Sequence, residues 1–245
     1  MSTAAYTRFE LLRTFRSKRF FLFSLGFPLV LYFLIAGPNR NVTDFVGTGI
    51  SAPLYYMLGL IAFGTMAAML SSGARIAGER EAGWNRQLRL TPLRPRSYFR
   101  AKVTTAYTMA GVTIALLYLA GTVLGVRLPV DRWLEMTGLV LVGLIPFAAI
   151  GIFVGHLLTV DSIGPVVGGT VSLLAFISGT WFPIGSHGVL HAIAQFLPSY
   201  WLVQASRVAV GGHPWGALGW IVVAVWSVAL TALSVVVYER DTARV

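Results

Sequence analysis

Few side chains in this sequence could support catalysis or metal binding. His187 and His191 are four residues apart, which on a helix would bring both imidazoles to one face, where they could share a metal ion. No nearby Asp, Glu or Cys completes a ligand set, so we do not predict a metal site. The run Gly185-Ser186-His187-Gly188 pairs a serine with a histidine. Membrane serine proteases bring these two groups from different spans, so adjacency in a turn gives catalysis only weak support.

Other catalytic and cofactor-binding groups are also missing from the sequence. The chain has no cysteine, which excludes thiolate nucleophiles and Cys-ligated metals. It contains no Gly-x-x-x-x-Gly-Lys-[Ser/Thr] phosphate loop, so it cannot bind ATP by that route. His156 suits packing better than a proton relay, because the nearest intramembrane acids, Glu135 and Asp161, lie at span ends. We therefore predict no catalytic residue and no cofactor bound by this chain.

Composition predicts a membrane protein. Of the 245 residues, 56% are hydrophobic and 11% are charged, whereas soluble domains carry about 25% charged residues. Apolar windows of about 17 to 25 residues are long enough to cross the bilayer as helices. Six spans are predicted, at residues 20–36, 53–72, 103–126, 135–158, 163–181 and 215–238.

The basic start followed by an apolar run would also fit a signal peptide over residues 1–36. That run is long and lacks an Ala-x-Ala cleavage site, so we expect the first span to be retained.

The positions of Lys and Arg set the orientation. If both termini are cytosolic, the inner segments hold 15 of the 19 basic residues, as the positive-inside rule requires. Topology thus explains the net charge of +10, which could otherwise suggest nucleic-acid binding. Residues 1–19 carry a narrow polar stripe among aromatic and basic residues, which predicts an interfacial helix on the cytosolic leaflet.

The longest cytosolic loop, residues 73–102, contains the segment Glu79 to Pro92. This segment mixes both charge signs with Trp84, Leu88 and Leu90, and exposed apolar residues rimmed by charge are typical of a docking surface. A solvated basic loop with incidental hydrophobic residues is the alternative.

At this point the sequence resembles the permeases of type-2 ABC exporters, of the daunorubicin-resistance and multidrug type. The matching residues are Glu79, Arg80, Glu81, Gly83, Leu88, Thr91 and Pro92. The chain departs from the family pattern at Trp84, where Thr is usual, and at Arg86, where an acid is usual. The resemblance implies a coupling helix at this segment that inserts into a separate ATP-binding subunit, with ATP and Mg held by that partner.

A second matching stretch follows the fifth span. Residues 178–184, 193–198 and Arg207 resemble the family's short helices that re-enter the outer leaflet. Residues 182–214 are too apolar for a free loop and too interrupted by proline and glycine to span, so we expect backbone buried in protein or facing a wet cavity. The residues expected to form this re-entrant gate are Trp181, Phe182, Pro183 and Pro198.

Two further groups of residues could shape the spans. Small residues at close-packing spacing predict either internal packing or a contact between permease copies. They are Gly59, Gly64 and Ala68 in the second span, with Gly164 and Gly168 in the fifth. Four aromatic residues could line a substrate path, or could equally face lipid or the core: Phe63, Tyr107, Phe147 and Phe176.

The sequence therefore predicts one all-α domain, residues 1–245, in the cell membrane. It has an interfacial helix, six transmembrane helices, a re-entrant segment between the fifth and sixth, and both termini inside. By resemblance it is a non-enzymatic permease of an ATP-driven exporter for a drug, antibiotic, lipid or glycan, with two permeases and two ATPases. The alternatives are a stand-alone secondary transporter or channel, for which the spans offer no clear ion-coupling group or polar pore, and a membrane enzyme.

Overall fold

A computed structural model describes residues 3–17, 25–84, 87, 95–185, 187–211 and 215–243. Within these residues every regular element is helical. The ten α-helices are α1 Thr3–Arg16, α2 Phe27–Ala36, α3 Ala52–Glu81, α4 Pro95–Val123, α5 Val130–Gly143, α6 Ile145–Leu157, α7 Val160–Ile177, α8 Val189–Gln195, α9 Pro198–Arg207 and α10 Ala217–Ala243. The predicted all-α class is confirmed.

Five stretches of the described chain are long and apolar enough to cross a membrane. They are Ala52–Glu81, Arg96–Val123, Val130–Leu157, Val160–Ile177 and Ala217–Arg240. The first predicted span, 20–36, is represented by the shorter apolar helix α2, and residues 18–24 lie outside the described part. The multi-pass architecture is confirmed, and the count of six spans stays a prediction.

Helix boundaries differ from the predicted ones most at the C-terminal end of α3. The sequence predicts that this span ends at residue 72, but the helix continues through Gly73 and Gly78 to Glu81. Beyond it, Gly83 adopts a positive φ of 68°, a conformation suited to glycine. Helix α4 begins at Pro95, where the fixed φ of proline favours a helix start. The predicted cytosolic loop 73–102 is therefore helical at both ends.

The predicted fourth span, 135–158, is built from two helices. Helices α5 and α6 meet at Leu144, and the break has a local cause. Pro146 has no N–H to donate to the preceding turn, so the regular hydrogen-bond ladder cannot pass through it. The hydrogen bond from Ala148 N to Leu144 O restarts the helix.

Helix α3 is the centre of the bundle. In its most apolar window 78% of residues are buried, compared with 17% in α7 and 22% in α10. It packs against α2, α4, α6, α7 and α9. Glycines permit its closest contact, with α6: a Cβ at Gly151 would lie 2.5 Å from Met69 O, and one at Gly155 would lie 2.8 Å from Gly73 O.

Two short helices, α8 and α9, lie between α7 and α10 in the chain. Helix α9 packs against α5 and α3, and it contacts the end of α7 through the hydroxyls of Ser178 and Ser199, which are 2.6 Å apart. Indole N–H groups secure the segment, because Trp201 donates to Gln195 O and Trp215 donates to Trp201 O. The short helices agree with a broken segment after the fifth span, and its re-entry into the bilayer stays a prediction.

The contact between α3 and α6 can be tested by Gly151→Ala. The added methyl would collide with the carbonyl of Met69, so the helices must separate, and we expect a loss of about 1–3 kcal/mol. Gly111→Ala in α4 is the matched control, because a Cβ there meets nothing within 4 Å. Melting temperatures in detergent, followed by fluorescence-detected size exclusion, would compare the two. A melting temperature of Gly151→Ala equal to or above that of Gly111→Ala would contradict the close contact between α3 and α6.

Candidate functional site

Helix α1, the C-terminal end of α3 and the N-terminal end of α4 are joined by a buried group of charged side chains, which we call the ionic cluster. Its centre consists of Glu10, Glu79 and Lys102, each at most 2% exposed. Lys102 Nζ lies 2.6 Å from Glu79 Oε1 and 3.0 Å from Glu10 Oε2. One ammonium therefore binds two carboxylates from two different helices.

Two cations and two phenols complete the ionic cluster. Arg13 Nη1 lies 2.7 Å from Glu79 Oε1 and 3.4 Å from Glu10 Oε1. The Tyr98 hydroxyl donates to Glu79 Oε2 at 3.1 Å. The Tyr6 ring packs beside that of Tyr98, and burial, with the neighbouring Glu10 carboxylate, raises the pKa of the Tyr6 phenol, which stays protonated at physiological pH. Arg75 reaches the same region and donates to the Thr14 hydroxyl.

Helix α1 buries one narrow stripe of side chains and exposes large apolar residues on the rest of its surface. Tyr6, Glu10 and Thr14 recur every four residues, so they lie along one face, and all three are buried. Phe9, Leu12 and Phe15 are exposed. This arrangement suits a helix whose outer face lies in lipid, and the interfacial location of α1 stays a prediction.

The predicted coupling residues are divided between the inside and the surface. Glu79 belongs to the ionic cluster, and Arg80 Nη1 donates to the carbonyls of Gly155 and Leu158 at the end of α6. Glu81 is exposed, and Trp84 is half-buried. Leu88, Thr91 and Pro92 lie outside the described residues.

The surface next to Glu81 also includes the turn between α6 and α7. A cavity of about 500 Å³ separates the end of α3 from this turn, and Arg80, Glu81 and Asp161 line it. A capping box between Thr159 and Ser162 fixes the start of α7. The C-terminal end of α3 and the turn between α6 and α7 thus face each other across one cavity.

At the opposite end of α3, an arginine contacts the turn after α7. Arg207 Nη2 donates to Gly179 O at 2.7 Å, and its guanidinium lies 4.5 Å from the centroid of the Tyr55 ring. The Tyr55 hydroxyl donates to the same carbonyl at 3.2 Å. These bonds hold the end of α9 against α3 and the turn after α7.

Of the four predicted gate residues, two are packed and two are exposed. The Trp181 ring lies 5.5 Å from that of Phe63, and Pro198 is buried at the first position of α9. Phe182 and Pro183 are exposed.

The predicted packing residues fall into two groups. Gly59, Gly64 and Ala68 face the interior, where a Cβ at Gly59 would collide with Thr180 O and one at Gly64 would lie 2.8 Å from the Thr113 side chain. A Cβ at Gly164 or Gly168 would meet nothing within 4 Å. The open small-residue face is therefore on α7.

The four aromatic residues predicted to line a path do not share a cavity. Phe147 is fully buried, and Phe63 is buried against Trp181. Tyr107 lines a cavity between α4, α6 and α10, whereas Phe176 is 65% exposed on α7.

The histidine pair makes a local contact. His191 Nε2 lies 2.8 Å from the side-chain nitrogen of Gln195, and Ser186 is outside the described residues. Among the described residues no group of three or more His, Cys, Asp or Glu side chains is placed to hold a metal ion.

Sequence reasoning missed Lys102 and Tyr98 as members of the site. The sequence pattern does not indicate that either residue belongs to the site, although Lys102 binds Glu10 across 92 positions of sequence. A lysine preceding an apolar run is ordinarily explained by the positive-inside rule, so its type and position gave no sign of a buried partner.

Comparison with known proteins shows which family these features belong to. The family model described as "ABC-2 family transporter protein" matches residues 38–238. The chain is 30% identical over 211 residues to the protein named "Putative transport permease YvfS" of Bacillus subtilis (strain 168), covering 84% of each chain.

The ionic cluster can be tested with Lys102→Met. Removing the ammonium leaves two buried carboxylates with one cation fewer, which we expect to cost about 3–5 kcal/mol and to loosen α1. Because the chain lacks cysteine, Thr14→Cys can serve as the only thiol reporter. Maleimide labelling of this cysteine should be more than about tenfold faster with Lys102→Met than with the native lysine. Arg100→Met, at an exposed position of α4, is the control, and equal labelling in the two backgrounds would contradict the role of Lys102.

Proposed function

Because the chain belongs to the ABC-2 family of transporter proteins, it is a transport permease subunit of an ABC transporter, and we propose that it works as an exporter driven by a separate ATP-binding subunit. One observation carries the proposal. The segment that would meet the ATPase continues directly from α3, the central helix, and the ionic cluster fixes its base to α1 and α4.

Docking and force transfer are assigned to different residues of the predicted coupling segment. Glu81 and Trp84 offer an exposed charge and a partly exposed aromatic surface, the kinds of groups that anchor protein interfaces. Glu79 holds the base of the segment to α1 and α4. Motion of a bound ATPase would therefore move three helices together, which suits rigid-body alternating access.

The chemistry of ATP is assigned to the partner. The sequence has no phosphate-binding loop, so ATP and Mg would be held by the ATPase, and this chain contributes the path. The proposed cargo is hydrophobic or amphipathic, a class that includes drugs, antibiotics, lipids and glycans, because the residues available to line a path are apolar or aromatic.

We assign the exposed face of α7 to a second permease, either another copy or a sister chain. Gly164, Gly168, Ser172 and Phe176 are spaced four residues apart, so they follow one side of the helix, and all are exposed. Small residues let membrane helices approach closely. In the complete complex, two such permeases would pair with two ATPases. Of the predicted path aromatics, we assign Phe176, which is exposed on this face, to a passage between permeases.

The docking role can be tested by the double variant Glu81→Ala/Trp84→Ala. We expect it to lose the ATPase, because removing an interface tryptophan commonly costs about 2 kcal/mol or more, roughly thirtyfold in affinity. The measurement is co-purification with candidate ATP-binding subunits after co-expression, beginning with any encoded beside this chain. Glu239→Ala/Trp220→Ala is the control, because it removes an exposed acid and an exposed tryptophan of α10.

Equal retention of the ATPase by both double variants would contradict this assignment. Transport by the purified chain in liposomes, driven by an ion gradient without nucleotide, would instead support a stand-alone transporter.

Pairing through α7 can be tested by disulfide cross-linking. With Ser172→Cys as the only cysteine, oxidation should join two copies, and adding Gly168→Leu should suppress the product because a large side chain holds the helices apart. Gly111→Leu, on the exposed side of α4, should leave cross-linking unchanged. If Ser172→Cys alone gives no cross-linked dimer, self-pairing through this face is excluded.

A further inference from the structure

A cavity of about 410 Å³ opens between α4, α6 and α10, where no function has been assigned. Along α4 its wall runs from Phe99 to Tyr107, and the eight-residue interval corresponds to about 12 Å of helix. The cavity begins near the cytosolic start of α4. Its height is therefore close to the ~15 Å that one leaflet contributes to a hydrocarbon core of ~30 Å.

The wall is apolar, and its hydroxyl groups are largely occupied. The Tyr107 hydroxyl donates to Leu141 O at 3.1 Å. The Ser234 hydroxyl lies 3.0 Å from Ala149 O and 2.7 Å from Leu230 O. The rest of the lining is aliphatic or aromatic except Thr231, at the exposed rim. Water or a charged ligand would find few partners here, and an apolar cavity of this kind stays dry.

The shape of the cavity fixes the direction of entry. At the end near the start of α4, the Phe99 ring lies 4.7 Å from the Tyr238 ring, which in turn lies 5.4 Å from His156, so three aromatic rings pack together there. At the side, Ile145 and Val235 are each about half exposed on helices that span the membrane. A ligand therefore enters laterally, from the hydrocarbon of the bilayer.

We propose that this cavity binds one acyl chain of a phospholipid from the cytosolic leaflet. The apolar wall, the lateral opening and the one-leaflet height each fit such a chain. Helix α7 takes no part in the lining, so the site is separate from the face assigned to a second permease. The proposal requires that the chain spans the membrane in the predicted orientation, and it does not depend on the ATPase.

Photo-cross-linking tests the proposal. The purified chain would be placed in nanodiscs containing a phosphatidylcholine with a diazirine midway along one acyl chain, irradiated, and digested for mass spectrometry. Cross-links should concentrate on the lining residues of α4 and α6, such as Val103 and Ile152. Thr231→Trp, at the exposed rim, should fill the cavity and remove most of these cross-links.

Leu233→Trp is the matched control for that variant. It adds the same indole to α10 two residues further on, where the side chain points about 200° away, at a position that is also exposed. Cross-links retained in Leu233→Trp and lost in Thr231→Trp would support the site, provided both variants elute as the parent does. Cross-links spread evenly over exposed positions such as Leu119 and Val228, or unchanged in Thr231→Trp, would overturn it.

Discussion

Two carboxylates and a lysine are buried where α1, the C-terminal end of α3 and the N-terminal end of α4 meet. An isolated buried charge costs several kcal/mol, so Glu10, Glu79 and Lys102 are tolerated only while all three helices that carry them remain together. The cluster therefore orients α1, because Glu10 must face inward, and this leaves Phe9, Leu12 and Phe15 exposed. It also fixes the base of the segment that would meet an ATPase.

Helix α3 connects that cluster to the opposite face of the membrane. Its 30 residues extend over about 45 Å, from Glu79 near one end to Tyr55 near the other. Tyr55 and Arg207 bind the carbonyl of Gly179, which joins the outer short helices to α3. Glycine contacts with α6 leave little room for bending in between. A displacement at the cytosolic end would consequently reach the outer segment through one rigid element, as the proposed export mechanism needs.

The exposed helices differ in the surfaces that they offer. Helix α7 presents glycines at close-packing spacing, whereas α10 presents large side chains such as Trp220, Ile221 and Val228. Helix backbones can approach closely only at the first kind of surface, while lipid chains adapt to the second. The apolar cavity beside α10 belongs to the lipid-facing side. Contact with protein and contact with lipid are thus assigned to different sides of one small bundle.

The sequence by itself determined the all-helical membrane class and the approximate positions of the spans. In a bilayer, long apolar segments must satisfy their backbone hydrogen bonds internally, and this favours helices. Tertiary structure decided which way each side chain faces. The sequence suggests that Glu79 is a surface acid, but its side chain is buried. In the sequence, its partner Lys102 is explained by the positive-inside rule alone. Likewise, nothing in the sequence distinguishes Gly73 and Gly151, which make the closest contact between helices, from the other glycines. Such pairings depend on residues far apart in the chain, and apolarity alone does not distinguish a neighbouring helix from lipid.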